Sequence, residues 1–299
     1  MNQPANAIVL AVGHQGCDAA LEFVAAEAER TRHPVHLVRV LHVPTTVEYA
    51  GVYAVSVKDF DAELEQALVH ARKRLGDTVP VTGEGVVDGG VVDQLVRRAD
   101  RGRMVVLQQR RLGTLHRLVT GSTTNGVAAR AEVPVVSVPP DWTESDDRTL
   151  VTVAVQDAGE AGWLLRAGYE QAKARQAKLV VLHAWWLANG YDDIAVDEAM
   201  RRQREEGMRE ALTPAMSELS AEFPEVEVAF RVQHAPSAEA ILHEAKKSAL
   251  VVLGRRHHLL PLGTHLGPVA RAILHHSACP VLMVPPPRQR GPESHQLGT

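Results

Sequence analysis

The residues of this sequence whose types and spacing are suited to chemistry are glycines between an apolar run and an amphipathic segment. Val105–Leu107 is followed by Gly121, and Val251–Leu253 is followed in the same order by Gly267. Glycine lets a backbone approach a ligand closely, and the free amide groups in the first turn of a helix attract anions. Both positions are therefore candidates for a ligand-binding loop.

The two glycine loops belong to a repeat that runs through the whole chain. Gly121 and Gly267 lie 146 positions apart (267 − 121), and Pro134 and Pro280 share that offset (280 − 134). A period of about half the chain indicates two copies of one domain rather than many short repeats. The expected division is a first domain at 1–140, a polar linker at 141–148, a second domain at 149–285 and a disordered tail at 286–299.

Short apolar runs alternate with segments of helical periodicity in both copies. The runs are Ala7–Val12, Val35–Leu41, Val79–Val86, Met104–Leu107 and Val133–Val138, then Leu150–Val155, Leu179–Trp185, Val226–Val232, Leu250–Leu253 and Pro280–Val284. This alternation predicts an α/β fold with two tandem doubly wound, five-stranded parallel sheet sandwiches of the Rossmann-like type. Ligands of such sheets bind beyond the carboxyl ends of the strands, where strand order reverses. The candidate site residues therefore follow strands one, two and four.

The segments Val105–Pro139 and Val251–Pro285 resemble the signature region of the universal stress protein family. In that family a V-V-[LM]-G strand is followed by a loop, by Gly-Ser or Gly-Thr opening a helix, and by a C-P-V-[LM]-V strand. The second copy ends with this pattern at Cys279–Val284, and the resemblance covers nearly the whole chain as a tandem pair. It implies a stress-response or regulatory protein without catalytic turnover, from a family in which many members bind ATP.

The ATP-binding variant of the family carries G-x2-G-x9-G-[ST] in this loop, and the first copy keeps only part of it. Gln108 and Arg111 stand at the first two glycine positions, and Gly121 and Ser122 follow after nine residues. Thr123 adds a further hydroxyl group. The resemblance thus implies that the first copy retains the helix-opening half of a phosphate site.

The second copy departs from the same pattern at different positions. Gly254 and Gly267 are present, but His257 replaces the middle glycine and Pro268 replaces the hydroxyl residue. Proline suits the first position of a helix but provides neither an amide donor nor a hydroxyl group. The second copy therefore keeps the turn and loses a phosphate ligand.

ATP-binding members also carry an aspartate after strand one. Gly13 stands at this acidic position in the first copy, and Gln156 stands there in the second, with Asp157 one place later. Neither copy has an intact site. The first domain is the better candidate for residual ATP binding, and in a structural alternative Gly121-Ser122 only begins a helix.

Two other functional classes stay open beside the nucleotide-sensing hypothesis. One is an interaction-only family member that has lost nucleotide binding. The other is an adenylate-forming enzyme on a related fold, which would need a phosphate loop such as S-G-G-x-D-S that His14–Asp18 does not supply. No arrangement typical of nucleophilic or acid–base catalysis follows the strands, so we expect no enzyme activity.

The bulk composition argues against nucleic-acid and membrane partners. The net charge is −4 and the isoelectric point is about 6.4, so no basic footprint is present. No apolar run approaches the roughly 18 residues that span a bilayer. Met1–Asn6 lacks the basic and apolar regions of a signal peptide, which predicts a cytoplasmic location.

Cysteines, loop histidines and a tryptophan pair allow further interpretations. Cys17 and Cys279 lie at non-equivalent places in the two copies, so no disulfide framework is expected, although an exposed Cys17 would allow a redox role. The loop histidines have no metal-ligand spacing of a known kind, so no metal cofactor is expected; they are His257, His258 and His265. Trp185–Trp186 either borders an aromatic pocket or divides between the core and a loop or interface.

The family resemblance also implies how the two domains associate. It predicts an intrachain pseudo-dimer in which the last strands, Val133–Val138 and Pro280–Val284, lie side by side. Such a pairing protects edge strands that would otherwise invite aggregation. A homodimer of whole chains and an unidentified protein partner are both left open.

Overall fold

A computed structural model gives the structure of the protein. It describes residues 3–13, 16–41, 50–87, 89–109, 123–145, 147–159, 161–187, 196–255 and 266–287. The tail predicted to be disordered lies outside these residues from position 288 onward.

Each half of the chain contributes five parallel strands to one sheet. They are β1 (Ile8–Ala11), β2 (Val35–Leu41), β3 (Val81–Val87), β4 (Met104–Gln108), β5 (Val135–Val138), β6 (Leu150–Ala154), β7 (Lys178–Trp185), β8 (Val228–His234), β9 (Ser248–Gly254) and β10 (Val281–Val284). The strand order is β3-β2-β1-β4-β5-β10-β9-β6-β7-β8. The predicted α/β class and the parallel sheets are confirmed, and strand order reverses between β1 and β4 and again between β6 and β9.

Helices cover both faces of the sheet. In the described part of the chain they are α1 (Asp18–Thr31), α2 (Ala50–Leu75), α3 (Val91–Ala99), α4 (Thr123–Arg130), α5 (Gly162–Arg175), α6 (Glu198–Glu222), α7 (Ser237–Ala245) and α8 (Pro268–His276). The first turns of α2, which begins at Ala50, are not marked by helix propensity in the sequence. Intrinsic helix propensity is a weak guide that tertiary context overrides, and this segment is rich in valine.

Alternating strand residues face two separate apolar layers. Leu10 and Val106 contact the layer that contains α1, while Val9 and Val105 contact the layer that contains Val127 of α4. Each layer includes residues of both halves, so the apolar core is continuous across the molecule on either face of the sheet. The inner strands are buried on both faces, as is typical of parallel sheets covered by helices, whereas the outermost strands β3 and β8 are only partly buried.

The two halves are joined edge to edge through their last strands. β5 and β10 pair antiparallel, with Val136 opposite Leu282 and Ser137 opposite Val281. This confirms the strand pairing that the family resemblance implies, and it merges the two predicted five-stranded sheets into one of ten strands. The pairing satisfies backbone groups that two separate sheets would leave exposed at their edges.

Side chains cross the same junction. The Ser137 hydroxyl donates to the carbonyl oxygen of Leu274 at 3.0 Å, and the Arg255 guanidinium donates to the carbonyl oxygen of Ala131 at 2.6 Å. Arg175 of α5 donates to the Glu27 carboxylate of α1 at 2.8 Å, where both side chains are buried. The halves are therefore held by polar contacts as well as by the sheet.

No helix among the described residues combines the length and the apolar character that a membrane crossing requires.

Candidate functional site

The candidate site of the first domain lies at the carboxyl ends of β1 and β4, where strand order reverses. The loop after β1 is a tight turn in which the Gly16 amide donates to the carbonyl oxygen of Gly13 at 3.2 Å. Gly16 has a φ of 82°, a left-handed conformation that favours glycine. Among the described residues, a Cβ placed on Gly13 would have the Gly16 carbonyl oxygen as its nearest neighbour, at 3.8 Å, and one placed on Gly16 would meet no atom within 4 Å.

A buried arginine lies beside this loop. Arg39 of β2 donates to the carbonyl oxygen of Gly13 at 3.2 Å and forms an ion pair with Glu63. Its guanidinium lies 5.2 Å from the centre of the Phe60 ring. Burial lowers the pKa of Arg39, and the neighbouring Cys17 opposes that shift. The Arg39 guanidinium is thus held between the Gly13 carbonyl, at the position where the family places an aspartate, and the Glu63 carboxylate.

Sequence reasoning missed Arg39, although the repeat contains a signal for it. Arg39 directly follows the register pair of Ala11 with Val38, and His183 follows the equivalent pair in the second half. The His183 imidazole Nδ1 donates to the carbonyl oxygen of Val155 at 3.0 Å. In both halves, therefore, a side chain of the second strand donates to a backbone carbonyl group just after the first strand: Arg39 after β1 and His183 after β6.

Gln108, which replaces the first glycine of the family pattern, is turned towards α1. Its Oε1 accepts a hydrogen bond from the backbone amide of Ala20 at 3.2 Å. Ala20 is the third residue of α1, so this amide belongs to the helix's first turn, which has no partner within the helix. The glutamine therefore provides an acceptor where an anion oxygen would otherwise bind.

The remaining predicted residues of the first domain are only partly covered by the structure. Thr123 is the first residue of α4 and is half-buried. Arg111, Gly121 and Ser122 lie outside the described residues. Their assignment to a phosphate site stays a prediction.

The equivalent crevice of the second domain is closed by a tryptophan. The space above Gly254, at the end of β9, is occupied by Trp163 of α5, and a Cβ on Gly254 would lie 2.9 Å from its Cη2 atom. In the first domain the strand carries the larger residue, Gln108, opposite the small Ala20. The two domains therefore fill the same position from opposite sides.

The other predicted residues of the second domain are separate from that contact. Asp157 is exposed, and its carboxylate accepts from the Gly159 amide at 2.9 Å in a local turn. Gly267 precedes α8, and a Cβ on it would meet no described atom within 4 Å, while Pro268 is the first residue of that helix. The structure thus does not link Asp157 to Gly254 by any contact among the described residues.

The tryptophan pair divides between the core and the surface, as one sequence interpretation predicts. Trp185 is 8% exposed and Trp186 is 48% exposed. The His234 ring lies 4.4 Å from the Trp185 ring centre and 5.4 Å from that of Trp186, nearly parallel to the latter. These aromatic rings contact one another at the carboxyl ends of β7 and β8.

The cysteines are buried thiols. Burial, together with the Asp18 carboxylate, raises the pKa of Cys17 to about 12, and burial raises the pKa of Cys279 to about 11. Both thiols are free, and Cys17 is 3% exposed. Because the thiolate is the reactive form, neither group is set up as a nucleophile or a redox centre. The expectation of an exposed Cys17 is wrong, since the residue packs beneath the start of α1.

Metal ligands do not converge within the described part of the chain: no group of three or more His, Cys, Asp or Glu side chains there could hold an ion. His257, His258 and His265 lie outside the described residues.

Comparisons with known proteins place this architecture in a family. The model of the universal stress protein family matches residues 5–139 and again 149–285. A universal stress protein of Mycolicibacterium smegmatis is 29% identical over 277 residues, which cover 90% of this chain and 93% of that protein. One of Mycobacterium tuberculosis is 27% identical over 211 residues, covering 70% of this chain and 66% of that protein.

Solved structures agree on the fold. A universal stress protein from Archaeoglobus fulgidus is similar with a TM-score of 0.67 and 15% identity, over 95% of this chain and 100% of that chain. A shorter universal stress protein in complex with cAMP matches 46% of this chain with a TM-score of 0.33, which is too weak a likeness to assign a ligand here. Because the family model matches both halves, this chain belongs to the universal stress protein family and is a tandem member of it.

Proposed function

We propose that this protein is a cytoplasmic, non-catalytic regulatory protein of the stress response whose first domain binds ATP. The nucleotide site is the crevice at the carboxyl ends of β1 and β4, and nucleotide occupancy carries the signal. The second domain serves as the structural partner in the intrachain pseudo-dimer.

The asymmetry of the two crevices is the observation that carries this proposal. The Arg39 guanidinium holds the loop after β1 through its Nη1 on the Gly13 carbonyl, whereas the second domain has the His183 imidazole on the Val155 carbonyl. Trp163 also fills the space above Gly254 in the second domain. Because Arg39 is also paired with Glu63, its guanidinium offers phosphate hydrogen-bond donors rather than an uncompensated charge. An anionic nucleotide is thus favoured in the first domain.

The chemistry of the first crevice supports binding rather than turnover. A nucleophile needs a lowered pKa or an adjacent base, and the Cys17 thiol has neither, since its pKa is raised to about 12. Arg39 cannot act as a base at neutral pH. We therefore expect ATP to be bound without formation of ADP.

Thermal melting with ATP and magnesium tests the proposal. A ligand that binds only the folded state raises its stability by about 2.7 kcal/mol at a concentration 100 times its Kd. The melting temperature should rise as the ATP concentration is increased above the Kd. Gly121→Val should remove most of the rise, because a side chain there blocks approach of the phosphates. Gly267→Val is the matched control in the second copy and should preserve it.

Two results would contradict the nucleotide proposal. An equal loss in the two glycine variants would remove the preference for the first domain. Release of ADP above the buffer rate, measured in the same samples, would contradict the non-catalytic assignment.

An interaction-only role is the second candidate, and the Gln108 contact favours it. Because Gln108 Oε1 already accepts from the Ala20 amide at 3.2 Å, the first turn of α1 has an internal acceptor. Under this alternative, millimolar ATP with magnesium leaves the melting temperature unchanged. The Gln108→Gly variant, which restores the family residue and frees that amide, would then show no rise either.

A further inference from the structure

A cleft of about 1090 Å³ lies at the junction of the two domains, and its lining includes none of the residues that were predicted to bind nucleotide. Its walls are the linker, the amino ends of β6 and β7, and the residues at the carboxyl ends of α7 and α8. Gln109 and Pro139, which follow β4 and β5, complete it from the first domain. The cleft is thus formed only because β5 and β10 run antiparallel, and we name it the linker cleft.

The linker cleft is positively charged although the chain carries a net charge of −4. Its lining has four permanent cations and two carboxylates, which leaves a charge of +2 (4 − 2) with both histidines neutral. The ionisable lining residues are Arg148, Lys178, Lys246, Lys247, His275, His276, Asp141 and Asp147. The cleft therefore favours an anionic ligand.

The lysines after α7 are the cations of the cleft that are available to a ligand. Lys178 pairs with Glu227 at 2.8 Å, and Arg148 donates to the carbonyl oxygen of Ala278 at 2.9 Å. Lys246 and Lys247 are exposed and form no ion pair with any described residue. Cations at a helix carboxyl end also complement the helix dipole, so position alone does not make these lysines a site.

A buried amide gives the second, independent indication of a ligand. Gln109 is only 8% exposed, and its Nε2 has no hydrogen-bond partner among the described residues. Its backbone amide donates to the carbonyl oxygen of Val138 at 2.8 Å, which holds the residue in the wall of the cleft. An unpartnered buried donor costs about 1–3 kcal/mol, so it is retained at a cost to stability unless an acceptor binds it. Gln109 follows a strand rather than a helix, so the helix dipole does not explain why it is found there.

We propose that the linker cleft binds a small anion that carries a diphosphate group. Lys246 and Lys247 neutralise its charge, and Gln109 Nε2 donates to one of its oxygens. Diphosphate has only acceptor oxygens and several negative charges, which matches a lining of amide and ammonium donors. The cleft volume is in the range of sites for small molecules. This site is separate from the crevice at β1 and β4 and does not depend on ATP binding there.

Calorimetric titration of the whole chain with inorganic pyrophosphate, without magnesium and at constant ionic strength, tests this proposal. We expect saturable binding that the Lys246→Gln/Lys247→Gln double variant weakens at least tenfold. Lys73→Gln is the matched control, because Lys73 is an exposed lysine in the last turn of α2, and it should leave the affinity unchanged.

Gln109→Met separates a ligand-binding role from a structural one. Replacing the unpartnered amide by an apolar side chain of similar length should keep or raise the melting temperature without ligand. The same change should weaken pyrophosphate binding several-fold. A purely structural glutamine would instead lower the melting temperature and leave the affinity unaltered.

Three outcomes would overturn the linker-cleft proposal. The first is the lack of binding at millimolar pyrophosphate, and the second is unchanged affinity in the double lysine variant. The third is equally tight binding of citrate, which would show a general anion effect. Gly121→Val distinguishes this site from the proposed ATP crevice: it should keep pyrophosphate binding in the linker cleft even where it removes the response to ATP.

Discussion

At the scale of single residues, the buried His36 is engaged in specific contacts rather than in a reactive arrangement. His36 of β2 is fully buried, with its Nδ1 2.9 Å from the Thr82 hydroxyl and its Nε2 3.4 Å from the Glu84 carboxylate. Arg98 binds the same carboxylate. Burial lowers the pKa of His36 from 6.5, although Glu84 opposes the shift. The histidine is therefore neutral in the folded protein at pH 7.

This lowered pKa predicts a loss of stability on mild acidification. Below pH 6.5 the unfolded chain binds a proton at His36 that the folded protein does not. The free energy of unfolding therefore decreases as the pH is lowered. The slope from one group is at most about 1.4 kcal/mol per pH unit. His36→Gln, which keeps a polar side chain but cannot titrate, should lose less stability between pH 7 and pH 5 in urea denaturation. The exposed His70→Gln is the control, and equal slopes for His36→Gln and the wild-type chain would refute this account.

At the scale of elements, the sequence predicts the strands well because the inner ones are short valine-rich runs buried on both faces. Predicted Val35–Leu41 coincides with β2, and predicted Met104–Leu107 differs from β4 by one residue. The start of α2 was not predictable in this way, since neither periodicity nor propensity marks Ala50. Side chains that approach from another strand or helix, such as Arg39, depend on register and crossover geometry that single-sequence patterns do not contain.

For the candidate site, too, the sequence predicts the positions of residues but not their contacts. Spacing locates Gln108 and Gly254 at equivalent strand ends. The contacts that decide their roles come from α1 and α5, on other parts of the chain. The repeat therefore predicts which positions are equivalent, whereas the contacts of those residues are known only from the folded structure.

The contact of α5 with β9 predicts an interaction between two substitutions. In the wild-type chain Gly254→Ala should be destabilising by about 1–2 kcal/mol, because the new methyl group would lie 2.9 Å from Trp163 and 3.3 Å from Leu164. Trp163→Ala removes the larger obstacle, so Gly254→Ala should be nearly neutral in the Trp163→Ala variant. A double-mutant cycle in urea denaturation measures this coupling, for which we expect about 1 kcal/mol. Additive effects would show that the indole does not determine the need for glycine.

At the scale of the whole molecule, the junction makes one body of two repeated domains. Both apolar layers extend across it, β5 and β10 pair within it, and the linker cleft lies at its edge. The carboxyl ends of the two half-sheets point in opposite directions because these strands are antiparallel. The two crevices therefore lie at opposite edges of the sheet. The linker cleft, in contrast, is lined by residues of both domains.

The buried pair between Glu27 and Arg175 predicts how strongly the halves depend on each other. Glu27 is 2% exposed, lies 2.8 Å from Arg175 across the junction, and also contacts Arg30 at 3.5 Å. Removing one partner of a buried pair leaves an uncompensated charge and costs about 3–5 kcal/mol. Glu27→Ala and Arg175→Ala should each lower the urea midpoint accordingly, whereas Glu205→Ala, in an exposed pair with Arg209, should have little effect.

The double variant Glu27→Leu/Arg175→Leu tests whether the charges themselves or the volume of the side chains stabilise the junction. An apolar pair removes both charges and the cost of burying them, so we expect it to recover most of the stability that either alanine variant loses. Arg175 lies 5.8 Å from the centre of the Phe23 ring, so a leucine there remains in apolar surroundings. If the double variant were no more stable than either alanine variant, the charges would stabilise the junction beyond what apolar packing supplies, and the junction would depend on charge rather than on packing.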